Sequence, residues 1–232
     1  MPATPLPPVP ATLITTREAL HLVAEQVVAP VRAQATGTEI ALEVCPGGFG
    51  TPTLPDGSKV GVDGDRLSVT AADGTLDEHR LTTLHAAATW AGLVHGPMPD
   101  VPLHVDATAA DLVATVFTFG DTTLRALRAG AAADAAPSPI RLWPQHFHIA
   151  YEEGDVVAGT RAGYGLSPGD EGHPEPYAYV TPRATPTGPL WNATGFPGAE
   201  LSYEELRTTP DPVAAVLDFW RTRRDALQRP DA

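Results

Sequence analysis

The sequence predicts an α+β fold: antiparallel sheets with about four flanking helices, a strand meander in the N-terminal half and a second strand group in the C-terminal half. Three observations predict it. Asp-Gly falls between apolar runs in "LPDGSKV", "VDGDRL" and "AADGTL", the strongest short-range signal for a tight turn between strands. The apolar period switches along the chain, from helical at Leu20, Val23 and Val27 to alternating at Ile40, Leu42 and Val44. Finally, 25 prolines and 21 glycines imply many turns and few helices.

The elements follow in order. "MPATPLPPVP" reads as a Pro-rich extended arm over residues 1–11. Thr15 and Glu18 form a capping-box pattern ahead of a helix over about 16–33, which Pro30 bends or ends. The alternation at 40–44 is a half-buried strand, and Val60, Val62, Leu67, Val69 and Leu76 carry the meander to about residue 80. Helical spacing returns over 81–93. A further helix, opened by Thr108 and Asp111, spans about 108–129 with a break predicted at Gly120. "AGAAADAAPSP" reads as the linker, 131–139, between an N-terminal half over 12–130 and a C-terminal half over 140–232; the two halves either stand apart or share a core. Residues 140–152 and 155–164 form a predicted hairpin, joined by strands at 176–182 and 197–203. Asp211 then caps, with Pro212 at the first position, a last helix through about 228.

Charge and cysteine usage exclude several function classes. Fifteen basic against 28 acidic residues give a net charge of −13, which leaves no basic face for a nucleic-acid backbone or an anionic membrane surface. The single cysteine, Cys45, permits no internal disulfide and no thiolate zinc cluster. The N-terminus lacks the charged and apolar regions of a signal peptide, and no run of about 18 apolar residues exists, so the expected location is cytoplasmic. The chain carries no phosphate-binding loop and no Gly-x-Ser-x-Gly elbow. The sequence leaves the oligomeric state open.

Two segments concentrate the polar chemistry. In "WPQHFHIAYEEG", read as one strand, Trp143, Phe147, Ile149 and Tyr151 share one face, and His146, His148 and Glu152 share the other. A His-x-His pair on a strand projects two imidazoles in parallel, so these three side chains together with His173 are the expected ligands of one divalent metal ion. The second segment, "GYGLSPGDEGHPEPYAYV", is a loop stiffened by Pro168, Pro174 and Pro176 that carries Ser167, Asp170, His173, Glu175 and Tyr177. Trp143, Ser167, Asp170, Tyr177 and Trp191 are its expected binding residues, and Glu175 or Glu153 the expected base.

The spacing of His146, His148, Glu152 and Gly159 resembles part of the first motif of cupins, double-stranded β barrels with a metal on such a strand. This resemblance implies a metal site there. More broadly, "LWPQHFHIA", "GYGLSPGDEGHPEPYAYVTP", "LWNATGFPGAELSYEEL" and "DPVAAVLDFWRTRRDAL" resemble an uncharacterised bacterial family, common in actinobacteria and known only as a domain of unknown function. That resemblance covers most of the chain and implies no activity. The sequence thus points to a small-molecule site between the histidine strand and the Pro-rich loop, built for metal-assisted hydrolase or lyase chemistry. The alternative is a non-catalytic binding or interaction module with an acidic surface.

Overall fold

The change from helical to alternating periodicity is realised as two antiparallel five-stranded sheets with flanking helices. The computed structural model describes residues 5–38, 41–93, 99–184 and 186–228, so Ile40, one residue of the first predicted strand, lies outside the described residues. Two compact units sort by contact: one from Val9–Thr118 and Arg141–His148, the other from Met1–Pro8, Phe119–Ile140 and Ile149–Ala232.

The unit that opens at Val9 begins with α1 (Leu13–Val23), a π-helical turn (Ala24–Val28) and α2 (Ala29–Thr36) in one uninterrupted helical run. Pro30 does not end it. A proline inside a helix lacks an N–H and collides with the carbonyl four residues back; the wider π turn just before it provides the room. Gly37, at φ +74°, stops the run.

The first sheet is a plain meander, with strand order β1 (Glu43–Cys45), β2 (Gly48–Gly50), β3 (Lys59–Asp63), β4 (Arg66–Thr70) and β5 (Leu76–Arg80). Register follows the alternation: Val60 pairs with Val69 and Val62 with Leu67, and Val60, Val62 and Leu67 are buried. Strand β2, "GFG", was not expected. Its glycines let the chain pass close to β3, since a Cβ at Gly48 would sit 2.4 Å from the Val62 carbonyl oxygen. The residue between them, Phe49, is fully buried.

Two helices follow, and the second of them passes from this unit into the other after Thr118. Helix α3 (Leu84–Trp90) is capped by Thr83, whose side chain accepts from the Ala86 N–H. Helix α4 (Ala107–Ala129) is opened by Asp106, which accepts from the Ala109 N–H, in place of the Thr108 and Asp111 expected. The predicted break at Gly120 does not occur. A Cβ there would stand 2.6 Å from Ile149 Cγ2, so this glycine serves close packing within an unbroken helix.

The expected strand over 140–152 is corrected. Strand β6 (Arg141–Trp143) ends at Pro144, a turn follows, and β7 (His148–Glu153) begins after it. The turn closes on Trp143, whose carbonyl oxygen accepts from the Phe147 N–H at 2.7 Å, and Phe147 sits at φ +49°. One face therefore does not run through from Trp143 to Tyr151. Neither does β7 alternate between core and solvent: Ile149, Ala150, Tyr151 and Glu153 are all buried.

The second sheet has the order β10 (Ala199–Ser202), β9 (Tyr177–Pro182), β8 (Ala162–Ser167), β7, β6. Helix α5 (Tyr203–Thr208) follows β10 directly, with Ser202 and Glu205 forming a reciprocal capping box. Asp211 caps α6 (Pro212–Gln228) by accepting from the Ala214 N–H, as expected. Trp220 on α6 is fully buried and donates its indole N–H to the Tyr179 carbonyl oxygen at 3.2 Å, which fixes the helix to β9.

Candidate functional site

The loop from Ser167 to Tyr177 is organised around one carboxylate. Asp170 Oδ1 accepts from the backbone N–H groups of Gly172 and His173, both at 2.8 Å, and Asp170 Oδ2 accepts from the Tyr177 hydroxyl at 2.6 Å. The Asp170 N–H in turn donates to the His173 carbonyl oxygen at 2.7 Å. Upstream, the Ser167 hydroxyl bonds the backbone of Gly169, which sits at φ +106°. A loop that would otherwise be mobile is thus closed on itself within a dozen residues.

This closure presents His173. Its Nε2 lies 2.8 Å from Glu200 Oε2 on β10, and its Nδ1 lies 3.4 Å from Asp170 Oδ1. The ring also packs on Tyr177, with centroids 4.5 Å apart. Glu200 is itself anchored through its backbone. The Asn192 side chain donates to the Glu200 carbonyl oxygen at 3.0 Å and accepts from the Glu200 N–H at 3.1 Å, taking the place of a neighbouring strand. The result is a carboxylate–imidazole–carboxylate series with both ends fixed.

A cavity of about 300 Å³ opens over this series, lined by His173, Pro174, Glu175, Tyr177, Asn192 and Glu200 among others. Burial works against the charge of Asp170, but hydrogen bonds from Tyr177, His173 and Gly172 outweigh it and hold the carboxyl below its ordinary value. Burial and the adjoining Asp170 carboxylate push the Tyr177 phenol well above its ordinary range, so it stays a neutral donor. Tyr177→Phe is therefore expected to move the Asp170 titration upward, measured by carboxyl ¹³C chemical shifts. The sign follows from linkage. A depressed carboxyl stabilises the fold above its unfolded value, and this is lost as pH falls through the folded value; without the phenol the loss is smaller and is complete at a higher pH. An unmoved titration would contradict the arrangement.

The structure thus brings together Ser167, Asp170, His173, Glu175 and Tyr177. Trp191, half-buried, directly precedes Asn192. The other expected residues are placed elsewhere. Glu152 lies between Arg161 at 3.2 Å and Arg183 at 2.9 Å. Glu153, 3% exposed, is paired with Arg224. His146 is exposed in the turn before β7, so the strand geometry expected for His-x-His does not apply, although the rings of His146 and His148 stand 5.3 Å apart. Trp143 is half-buried at the end of β6. Among the described residues no group of three or more His, Cys, Asp or Glu side chains is arranged to hold a metal ion. No helix among them is long and apolar enough to cross a membrane.

Sequence reasoning missed Glu200, Ser202 and Glu205, which also line the cavity. A signal for two of them was present, because Ser202 and Glu205 stand at capping-box spacing. For Glu200 there was none: it lies 27 residues from His173 in sequence, and only the pairing of β9 with β10 places it.

No known family profile, no curated protein and no solved structure matches the chain.

Proposed function

We propose that the unit containing β7–β10 binds a small molecule in the cavity over His173, and that Glu200, backed by His173, is the group that engages it. The observation that carries this reading is the 2.8 Å contact of His173 Nε2 with Glu200 Oε2 in the wall of a cavity of about 300 Å³. An imidazole oriented by one carboxylate and facing another is the usual construction for moving or holding a proton. Here Asp170 and Tyr177 keep the ring in place, and Asn192 keeps Glu200 in place. The volume suits a ligand at the small end of the range for binding pockets. The chemistry that fits is proton transfer in a hydrolase- or lyase-type step, with Glu200 taking the proton and His173 stabilising it there.

The test is a residue-resolved NMR screen of the full chain against fragments of mixed charge. The expected result is that hits perturb the amides of Gly172, His173, Glu175 and Tyr177, and that Glu200→Gln weakens them. If no fragment perturbs these residues, the cavity is not a binding site and the acidic interaction module is the better account. About one equivalent of a divalent metal in protein purified without a histidine tag, lost in His146→Ala, would instead place the chemistry on the histidine segment.

A further inference from the structure

We infer that the ligand of this cavity is an organic cation, a small amine or guanidine; the inference rests on the binding reading above and sharpens it. The cavity's hydrogen-bonding inventory carries it. Each donor-bearing side chain in the wall already donates within the protein, which leaves only the second N–H of Asn192 over. The Tyr177 hydroxyl donates to Asp170 and the Asn192 amide to the Glu200 carbonyl oxygen. The Ser202 hydroxyl donates to Glu205 at 2.6 Å, and both His173 nitrogens face carboxylates. Pro174 and Pro176 have no N–H at all. No lysine or arginine is among the residues that line the space.

What remains besides that N–H of Asn192 are acceptors. Glu175 is exposed at the rim and makes no hydrogen bond or ion pair among the described residues, and only one oxygen of Glu200 is taken by His173. An anion entering here would find no cationic side chain, one N–H left over on the Asn192 amide, and three carboxylates, those of Glu175, Glu200 and Glu205. An ammonium or guanidinium group, which only donates, matches what is offered. The Tyr177 ring in the wall adds a face on which a cation or its alkyl stem can lie. A bare metal ion fits less well, because the carboxylates and the imidazole do not form a coordinating group of three.

A matched trio tests this: n-butylammonium, n-butanol and n-butyrate, titrated at constant ionic strength into the full chain and followed by the amide shifts of Glu175 and Tyr177. The expected result is that butylammonium binds about tenfold more tightly than butanol and that butyrate is weaker still. Glu175→Gln, at the exposed rim and outside the loop's internal bonds, should weaken butylammonium severalfold while leaving butanol unchanged. Glu200→Gln should do the same, with its amide spectrum showing that the fold is intact. Binding of butanol or butyrate as tight as butylammonium would overturn the cation assignment and leave the cavity a small-molecule site. So would silence of butylammonium where mixed fragments bind. Silence of the trio and of every fragment would overturn both readings.

Discussion

Arg224→Met is expected to lower the stability of the fold by about 3–5 kcal/mol, read from urea unfolding, because it leaves a buried carboxylate without its counter-charge. Arg224 projects from α6 to Glu153 at the end of β7, and both are buried, at 9% and 3% exposure. The same guanidinium donates to the Tyr151 hydroxyl at 3.1 Å and to the carbonyl oxygens of Leu127 and Gly130, so it also closes the C-terminal end of α4. Burial raises the Glu153 carboxyl above its ordinary value even against the attraction of Arg224. With Arg224 gone that rise becomes larger. A raised folded value means that the native state holds a proton the unfolded chain releases. Stability of the variant should therefore fall as pH rises from the unfolded carboxylate value toward the folded one, by up to about 1.4 kcal/mol per pH unit. The deficit relative to the unaltered chain should be smaller at pH 5 than at pH 8. A deficit under about 1 kcal/mol, or one that does not change with pH, would show that the pair does not hold α6 to the sheet.

Phe147→Ala should cost a similar amount, about 3–5 kcal/mol, by leaving a cavity in the other unit's core. Its ring meets Phe49 at 5.3 Å and Phe117 at 5.1 Å, both edge-on, and stacks on His21 at 5.2 Å. The residue is 1% exposed and held at φ +49°, a conformation that costs a non-glycine residue about 1–2 kcal/mol. Packing of the ring outweighs this cost, which is why a phenylalanine and not a glycine ends the turn. His146→Ala, in the same turn but exposed, should change stability by no more than about 0.5 kcal/mol. Equal losses from both substitutions would mean that the turn backbone, and not the ring, is what matters.

These two residues also show where the sequence is legible and where it is not. The meander β3–β5 and helix α6 could be read because their turns and caps use residues chosen for local geometry: Asp-Gly between strands, Asp211 and Pro212 at a helix start. Phe147 carries no such mark. An aromatic residue at positive φ is selected by the tertiary core around it, so a single strand was expected where β6, a turn and β7 stand, and Pro144 was the only local hint. The π turn at Ala24–Val28 is silent in the same way. Helix α5 was missed despite its Ser202–Glu205 box because the alternating segment of β10 runs directly into it. In the candidate site, Asp170, His173 and Tyr177 were visible as a group because they crowd one Pro-stiffened loop. Glu200 was invisible, since strand pairing alone brings it to His173.

The most direct measurement of the central claim is the long-range ¹H–¹⁵N imidazole spectrum of His173, recorded with and without saturating n-butylammonium. The Nε2 resonance should shift on binding as Glu200 turns part of its charge to the ligand, while Nδ1, held on the Asp170 side, moves less. A His173 spectrum that stays fixed while the cation is demonstrably bound would contradict the account.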